Sequence, residues 1–153
     1  MVGGGQAGLA VAARLGQLEI ETLVIDKHDR IGDNWRKRYH SLALHNQIHV
    51  NHLPYLPFPP TWPKYIPKDM LANWFELYAD VMQVNFWTGT ELIDANYDGR
   101  LNHWVATVRQ NNNSERILKP KHIIFANGVS GIPYKPKLEL SLIHISEPTR
   151  PLH

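Results

Sequence analysis

The sequence predicts an α/β fold in which helices pack against a parallel central sheet. Three features near the start of the chain carry this prediction: a glycine-rich turn over residues 2–8, an apolar run over residues 22–25, and an acidic residue, Asp26, that follows the run. A glycine turn that opens a helix, followed by a buried strand and a carboxylate, is typical of a Rossmann-like dinucleotide-binding unit. The predicted architecture has three layers with the parallel sheet in the middle, and strand-like segments after residue 83 add a β-meander.

The glycine turn has the pattern G-x-G-x-x-G, with Gly3, Gly5 and Gly8 at its fixed positions. In such a unit the first glycine permits a tight turn, and the second lets a pyrophosphate approach the backbone at the positive end of the helix. The third allows the helix to pack closely on the strand. Because an isolated motif is equally consistent with a flexible loop, the residues that follow it decide the interpretation. The candidate cofactor-binding residues of the turn are Gly3, Gly4, Gly5, Gln6, Ala7 and Gly8.

The residues after the turn favour the dinucleotide site. Leu9–Leu15 contains small, helix-compatible residues, which predicts a helix that Gly16 caps at its C-terminus. Asp26 lies 18 residues beyond Gly8. That separation is close to the roughly 20 residues expected for the carboxylate that accepts ribose hydroxyls. The alternative role of Asp26 is that of an ordinary turn former at the end of a strand.

The next part of the chain predicts irregular structure. The polar loop that contains Trp35 is longer than a simple connection requires, so its tryptophan either faces a ligand or covers an edge of the core. Prolines punctuate residues 41–67, which predicts extended chain that wraps the surface. His45, His49 and His52 would suit a metal only if they were helical, and neighbouring prolines argue against a helix there. We therefore expect no metal site.

The second half of the chain predicts one helix and several strands. Residues 68–81 have apolar side chains at helical spacing, and the aromatic stripe of Trp74, Phe75 and Tyr78 is expected to pack in the core. Strands are predicted next at residues 84–88, 91–97, 104–108 and 115–119, with turns at residues 98–99 and 111–113. His122–Ala126 predicts a further buried strand that enters a second glycine turn, where open α/β sheets bind ligands.

Composition excludes several classes of function. The chain of 153 residues contains no cysteine, which excludes disulfides, cysteine-ligated metals and dithiol redox chemistry. A net charge of +2 gives no reason to expect a nucleic-acid partner. No apolar stretch approaches the roughly 18 residues of a membrane span, and the glycine turn occupies the place of a secretory signal. These observations predict a cytoplasmic location and leave the oligomeric state open.

Six motifs occur in order along residues 1–138: Gly3–Gly8, Asp26-Lys27, Ile31–Arg36, Leu44-His45, Leu53–Pro59 and Ala126–Gly128. This succession resembles the flavin-containing monooxygenases, and within them the plant-type indole-pyruvate monooxygenases with their fungal and bacterial relatives. The order of the motifs is far more specific than the glycine motif alone. The resemblance implies an enzyme that uses FAD and NADPH. Such an enzyme transfers oxygen through a flavin C4a-hydroperoxide to a nitrogen, sulfur or carbonyl group of a small-molecule substrate.

The resemblance also implies roles for individual residues. The glycine turn would hold the FAD pyrophosphate, Asp26 would hold the adenosine ribose, and Asn34 with Trp35 would form a loop that contacts the cofactor. The other cofactor-binding residues that it implies are Lys27, His45, Asn46, Ala126 and Gly128. The His45 imidazole would be catalytic, hydrogen-bonded near the reactive edge of the flavin, unless it is a solvated loop histidine.

The sequence departs from the family pattern at Asp33 and Asn127, where the family has a small residue and a threonine, although both keep turn-forming character. Only Met1 and Val2 precede Gly3, whereas a strand of roughly five residues is expected there. Residues 1–138 are therefore expected to be the N-terminal part of an FAD- and NAD(P)-binding domain, truncated at both ends. Residues 139–153 fit nothing before them and are expected to be a non-native tail, with the NADPH site beyond the break.

Two other interpretations remain open. The same glycines and Asp26 suit another Rossmann-type oxidoreductase that uses NAD(P) or FAD, although that leaves the Trp35 loop unexplained. Alternatively, the chain is a gene fragment with no function of its own. Such a fragment is expected to dissolve poorly, because a missing strand exposes sheet edges and apolar faces.

Overall fold

The computed structural model of the chain describes residues 1–129, so the tail expected at residues 139–153 lies outside the described residues. The helices are α1 (Gln6–Gln17), α2 (Asp33–Arg36) and α3 (Lys68–Val81), with a 3-10 helix at Ile48–Val50. The strands are β1 (Leu23–Ile25), β2 (Asn85–Trp87), β3 (Thr90–Asp98), β4 (His103–Gln110) and β5 (Glu115–Leu118).

A parallel sheet lies at the centre of the described chain. Strand β1 pairs in parallel with β2, and Val2 forms parallel bridges with Ile25 on one side and Phe125 on the other. The Val2 amide donates to the Ile124 carbonyl at 2.8 Å, and the Gly3 amide donates to the Ile25 carbonyl at 2.9 Å. The spatial order is therefore the Phe125 segment, Val2, β1 and β2. This arrangement confirms the predicted α/β fold and places the glycine turn at the carboxyl end of the sheet.

The predicted buried strand at His122–Ala126 is wrong in two respects. The segment forms an isolated bridge at Phe125 rather than a strand, and the side chains of Ile124 and Phe125 are 38% and 66% exposed. An apolar run is buried only if another element covers it, which the run itself cannot specify. Within residues 1–129 this segment pairs on one side, with Val2, and its apolar side chains reach solvent.

Helices α1 and α3 build the core. Helix α3 begins and ends where the apolar spacing predicts, and its aromatic stripe is buried, with Phe75 and Tyr78 at 0% exposure. These residues pack in one cluster with Leu9 and Ala13 of α1. Burial contributes roughly 1.5–3 kcal/mol for each large apolar side chain. The apolar spacing also predicts that Val81 lies on this face, and that prediction is wrong, since Val81 is 50% exposed at the last position of the helix.

The predicted end of α1 is also wrong. The helix continues through Gly16 to Gln17, and the residue with left-handed backbone is Glu19, at φ 57°. The chain closes the helix through two hydrogen bonds, from Glu19 to the Gly16 carbonyl at 3.0 Å and from Ile20 to the Leu15 carbonyl at 2.9 Å. Glycine is the usual residue at such a position, but a non-glycine residue can adopt it at a small energetic cost.

The proline-rich stretch is anchored more deeply than predicted. It is largely irregular, as expected, but Leu53, Phe58 and Ile66 are buried at 3%, 4% and 0% exposure. The Tyr78 hydroxyl of α3 also donates to the Pro54 carbonyl at 2.9 Å. A chain that wraps the surface is held in place when a few of its apolar side chains pack into the core. The spacing of the prolines does not show which side chains do so.

The β-meander follows the predicted order. Strands β3, β4 and β5 pair antiparallel in sequence order, with the second turn at residues 111–113 as predicted. The first turn spans residues 99–102 rather than the predicted 98–99, because Asp98 still pairs with His103. The junction between β2 and β3 is fixed to the end of β1, because the Thr90 amide donates to the Asp26 carbonyl at 2.8 Å. The meander therefore contacts the chain segment that contains the candidate ribose-binding residue.

Candidate functional site

The glycine turn fits its neighbours only without side chains. Gly3 has φ +101°, and a Cβ atom there would lie 2.4 Å from the Ala126 carbonyl oxygen. A Cβ atom on Gly8 would lie 2.0 Å from the Gly3 carbonyl oxygen. The first glycine thus brings the two turns together, and the third brings α1 against the strand, as the motif predicts.

Gly5 differs from these two because the space beside it is open. Its backbone, at φ −79°, is accessible to any residue, and a Cβ atom would meet only the Asn34 Nδ2 atom, at 3.2 Å. Helix α1 starts here with no side-chain cap and no acidic residue in its first turn, where Gln6 and Ala7 are exposed. The first N–H groups of a helix without a cap are free to bind an anion.

Gly4 has two contacts within the protein. Its amide donates to the Asp26 Oδ2 atom at 2.7 Å, which connects the turn to the end of β1. A Cβ atom on Gly4 would lie 2.0 Å from the Phe86 ring, so this position packs against β2. The consecutive glycines therefore face in different directions, with Gly4 toward the sheet and Gly5 toward open space.

The Asp26 carboxylate lies at the carboxyl end of β1, next to the glycine turn. Besides the Gly4 amide, it accepts hydrogen bonds on Oδ1 from the His28 amide at 2.9 Å and from the His28 ring at 2.7 Å. Lys27 is exposed beside it. Sequence reasoning did not identify His28 at this site. The available signal was its position two residues after an aspartate at a strand end, where the aspartate side chain commonly accepts the amide of residue i+2.

The Asn34-Trp35 pair belongs to helix α2, which ion pairs fix in place. Asp33 is buried, and Arg36 and Lys37 lie 3.2 and 3.4 Å from its carboxylate oxygens. Burial alone would raise the pKa of the Asp33 carboxyl, but hydrogen bonds from these two cations lower that pKa below its ordinary value. Trp35 is half-buried against the core cluster under the Arg38 guanidinium, 4.8 Å from its ring, which favours the core-edge role considered for it.

Helix α2 is also held against α3 by a shared carboxylate. The Arg36 Nη2 atom lies 3.0 Å from the Glu76 Oε2 atom, and Arg30 binds the same carboxylate. Lys68 is buried and donates to the Arg36 carbonyl at 2.9 Å. These contacts determine where the Asn34 side chain stands, beside Gly5.

His45 and Asn46 stand apart from this cluster. Both are exposed at a bend after Leu44, whose amide donates to the Ile66 carbonyl at 2.9 Å. Within the described residues, no side-chain hydrogen bond joins them to the glycine turn or to Asp26. Of the other histidines considered for a metal, His52 accepts a hydrogen bond from the Phe58 amide on its Nδ1 atom at 2.9 Å. The role predicted for His45 beside a flavin stays a prediction.

The structure therefore brings together most of the residues that the glycine motif and its context predicted. These are Gly3, Gly5, Gly8, Asp26, Asn34 and Ala126, with Gly128 in the adjacent turn at φ +72°. The cluster offers helix N–H groups for a phosphate and a carboxylate for a hydroxyl, and the Gly4 amide connects the two through its hydrogen bond to Asp26. In residues 1–129, no helix is both long and apolar enough to cross a membrane.

The comparisons with known proteins support the Rossmann-like fold. Residues 1–61 match the family model described as an NAD(P)-binding Rossmann-like domain. The chain is 31% identical over 139 residues to the probable indole-3-pyruvate monooxygenase YUCCA1 of Arabidopsis thaliana, covering 90% of this chain and 33% of that protein. The chain thus spans about a third of the length of this relative.

Solved structures show the same fold. The flavin-containing monooxygenase from Stenotrophomonas maltophilia superposes with a TM-score of 0.72 at 20% identity, over 89% of this chain and 39% of that one. The OTEMO complex with FAD and NADP superposes with a TM-score of 0.72 at 18% identity, over 90% of this chain and 26% of that one. At such identities the likeness establishes the fold alone.

Proposed function

We propose that this chain, by homology a member of the flavin-containing monooxygenase family, supplies the part of such an enzyme that binds the ADP portion of FAD. The observation that carries the proposal is the open space beside Gly5, between the uncapped start of α1 and the Asn34 amide. A diphosphate needs N–H donors, a positive helix end and the absence of a Cβ atom, and this position has all three.

Different residues of the site would bind different parts of the cofactor. The N–H groups of the first turn of α1 would bind the diphosphate, and the Asp26 Oδ2 atom would accept a hydroxyl of the adenosine ribose. The Asn34 side-chain amide would donate a hydrogen bond to the diphosphate from the side opposite α1. The exposed Lys27 would lie near the adenosine end and add positive charge there.

The bound flavin would supply the redox and oxygen-activating chemistry, as a cofactor does in general. For the whole enzyme we propose NADPH as the reductant and a small molecule with a nitrogen, sulfur or carbonyl group as the substrate. This extends the names of the relatives, and the chain spans about a third of the length of YUCCA1. His45 is proposed as the residue that hydrogen-bonds near the reactive edge of the flavin, and its exposure leaves its imidazole free to do so.

An experiment on Gly5 tests the proposal. Because the backbone there is accessible to alanine, and the Asn34 Nδ2 atom 3.2 Å from the new methyl group is the end of a side chain that can shift slightly, Gly5→Ala should change stability little while its methyl group blocks the diphosphate. We expect FAD affinity to fall at least about tenfold, which corresponds to ~1.4 kcal/mol. Gly16→Ala is the matched control, since nothing lies within 4 Å of a Cβ atom at that position of the same helix. Calorimetric titration with FAD measures both.

The outcomes distinguish the proposal from its main competitor. An NAD-dependent oxidoreductase is favoured by the match of residues 1–61 to an NAD(P)-binding domain. It predicts tighter binding of NAD than of FAD in the same titration. Equal FAD affinity for Gly5→Ala and Gly16→Ala would contradict the diphosphate site itself.

A further inference from the structure

His28 contacts the carboxylate that the proposed function assigns to ribose binding. Its Nδ1 atom lies 2.7 Å from the Asp26 Oδ1 atom, and its side chain is 26% exposed against 16% for Asp26. An ionised carboxylate only accepts hydrogen bonds, so the Nδ1 atom of His28 carries the proton that forms this contact. The imidazole is therefore a donor to Asp26.

The backbone on both sides of this pair is fixed. The His28 amide donates to the Asp26 Oδ1 atom at 2.9 Å, and the His28 carbonyl accepts from the Gly89 amide at 2.7 Å. The Asp26 carbonyl accepts from the Thr90 amide at 2.8 Å. The junction between β2 and β3 thus fixes the backbone of residues 26–28 from one side. The position of the His28 ring relative to the Asp26 carboxylate is therefore restricted.

The acceptor positions of Asp26 are nearly all occupied. A carboxylate offers about four lone-pair positions, two on each oxygen. The two donors from His28 occupy those of Oδ1, and the Gly4 amide occupies one of Oδ2. One lone-pair position on Oδ2 is left for a ligand hydroxyl. The direction of this lone pair depends on how the carboxylate is rotated about its bond to Cβ. The contact with the imidazole restricts that rotation further, in addition to the amides of Gly4 and His28.

We propose that His28 is a positioning residue for the ribose-binding carboxylate, an inference that rests on the function proposed above. By donating to Oδ1, its imidazole turns the free position of Oδ2 toward the hydroxyls of an adenosine ribose at the glycine turn. The amide hydrogen bond of residue 28 is a backbone contact that any residue type makes. The ring contact is specific to the side chain, so substitution can isolate it.

Three substitutions separate the ring contact from general packing. His28→Asn keeps a donor at the place of Nδ1, because the asparagine Nδ2 atom has the same number of bonds to Cα. His28→Gln moves the amide one bond further, and His28→Ala removes the donor. The ligands are ADP and 2′,3′-dideoxy-ADP, which differ only in the ribose hydroxyls. The quantity measured is the ratio of their dissociation constants for the full chain, by calorimetric titration.

For the unsubstituted chain we expect ADP to bind about tenfold more tightly than its dideoxy analogue, the effect of one hydrogen bond to a charged acceptor. His28→Ala and His28→Gln should reduce that ratio to about twofold, while His28→Asn should keep it near tenfold. A general loss of packing would weaken both ligands equally and leave the ratio unchanged.

Each other result overturns a separate statement. If His28→Ala keeps the tenfold ratio, or if His28→Asn loses it, the positioning role of the imidazole is wrong although the ribose site stands. If the unsubstituted chain binds both ligands equally, Asp26 accepts no ribose hydroxyl. If it binds neither ADP nor FAD, the proposed function fails, and the role of His28 fails with it.

Discussion

Gly8 and Gly16 lie in the same helix in opposite surroundings. A methyl group at Gly8 would lie 2.0 Å from the Gly3 carbonyl oxygen, whereas a methyl group at Gly16 would meet nothing within 4 Å. Gly8→Ala must therefore push α1 away from the strand, and we expect it to lower the free energy of unfolding by about 1–3 kcal/mol. Gly16→Ala should raise it by roughly 0.5–1 kcal/mol, because alanine favours the helix.

Chemical denaturation of the two variants measures both changes. Opposite signs would show that close approach, rather than helix propensity, determines the glycine at position 8. A loss of stability in Gly16→Ala as large as that in Gly8→Ala would contradict the contact between α1 and Gly3.

At the scale of single residues, the sequence predicted the positions defined by a fixed spacing. Gly3, Gly5, Gly8 and Asp26 belong to a motif whose distances along the chain follow from the geometry of a strand, a turn and a helix. The hydrogen bonds from Gly4 and His28 to Asp26 were not predicted, because they depend on the exact direction of side chains after the backbone has folded.

Helix α3 and the proline-rich stretch are connected by the Tyr78 hydroxyl, which makes a pH-dependent contact. The side chain is fully buried, and burial, together with the nearby Tyr55, raises the pKa of Tyr78 to about 12. A folded-state pKa above the unfolded value of 10.0 means that the folded state disfavours the phenolate. The contribution of this group is complete below pH 10 and is lost as the pH rises toward 12.

Tyr78→Phe should therefore have two effects. Loss of the hydrogen bond to the Pro54 carbonyl should cost about 1 kcal/mol at pH 7, while the loss of stability between pH 10 and 12 should become smaller. Tyr97→Phe is the control, because Tyr97 is 53% exposed. Unfolding curves at pH 7 and pH 11 measure how much stability each variant loses at high pH. If Tyr78→Phe loses as much as the unsubstituted chain, the Tyr78 hydroxyl is not the source of the pH dependence.

At the scale of elements, apolar periodicity predicted the bounds of α3, because a helix that buries one face repeats apolar side chains along that face, although Val81 at its last position is exposed. The end of α1 was predicted from Gly16 as a cap, and that prediction failed because the chain closed the helix through Glu19 instead. The prediction at Phe125 also failed, because burial depends on a covering element and the apolar run specifies none.

At the scale of the whole molecule, residues 1–129 expose an apolar sheet margin. Phe125 is 66% exposed on the segment that pairs with Val2, and such margins promote association of copies through added strands. Phe125→Lys should raise the monomeric fraction in concentrated solution, because a charge on a sheet margin opposes that association. Leu101→Lys is the control, since Leu101 is 62% exposed but lies in a turn.

Static light scattering over a concentration series measures the association of both variants. If Leu101→Lys raises the monomeric fraction as much as Phe125→Lys does, the added charge alone is responsible and the sheet margin is not the site of association.

The position of Val2 between Ile25 and Phe125 also has a consequence for how the molecule is made. Val2 is synthesised before Phe125, the neighbour on its far side, and 122 residues separate the two along the chain. The glycine turn packs against that late neighbour through Gly3 and Ala126, so it cannot take its final shape on a nascent chain that lacks it. The nucleotide binding proposed for this turn would then follow synthesis of the Phe125 segment, and Val2 stays unpaired on that side until the segment has been made.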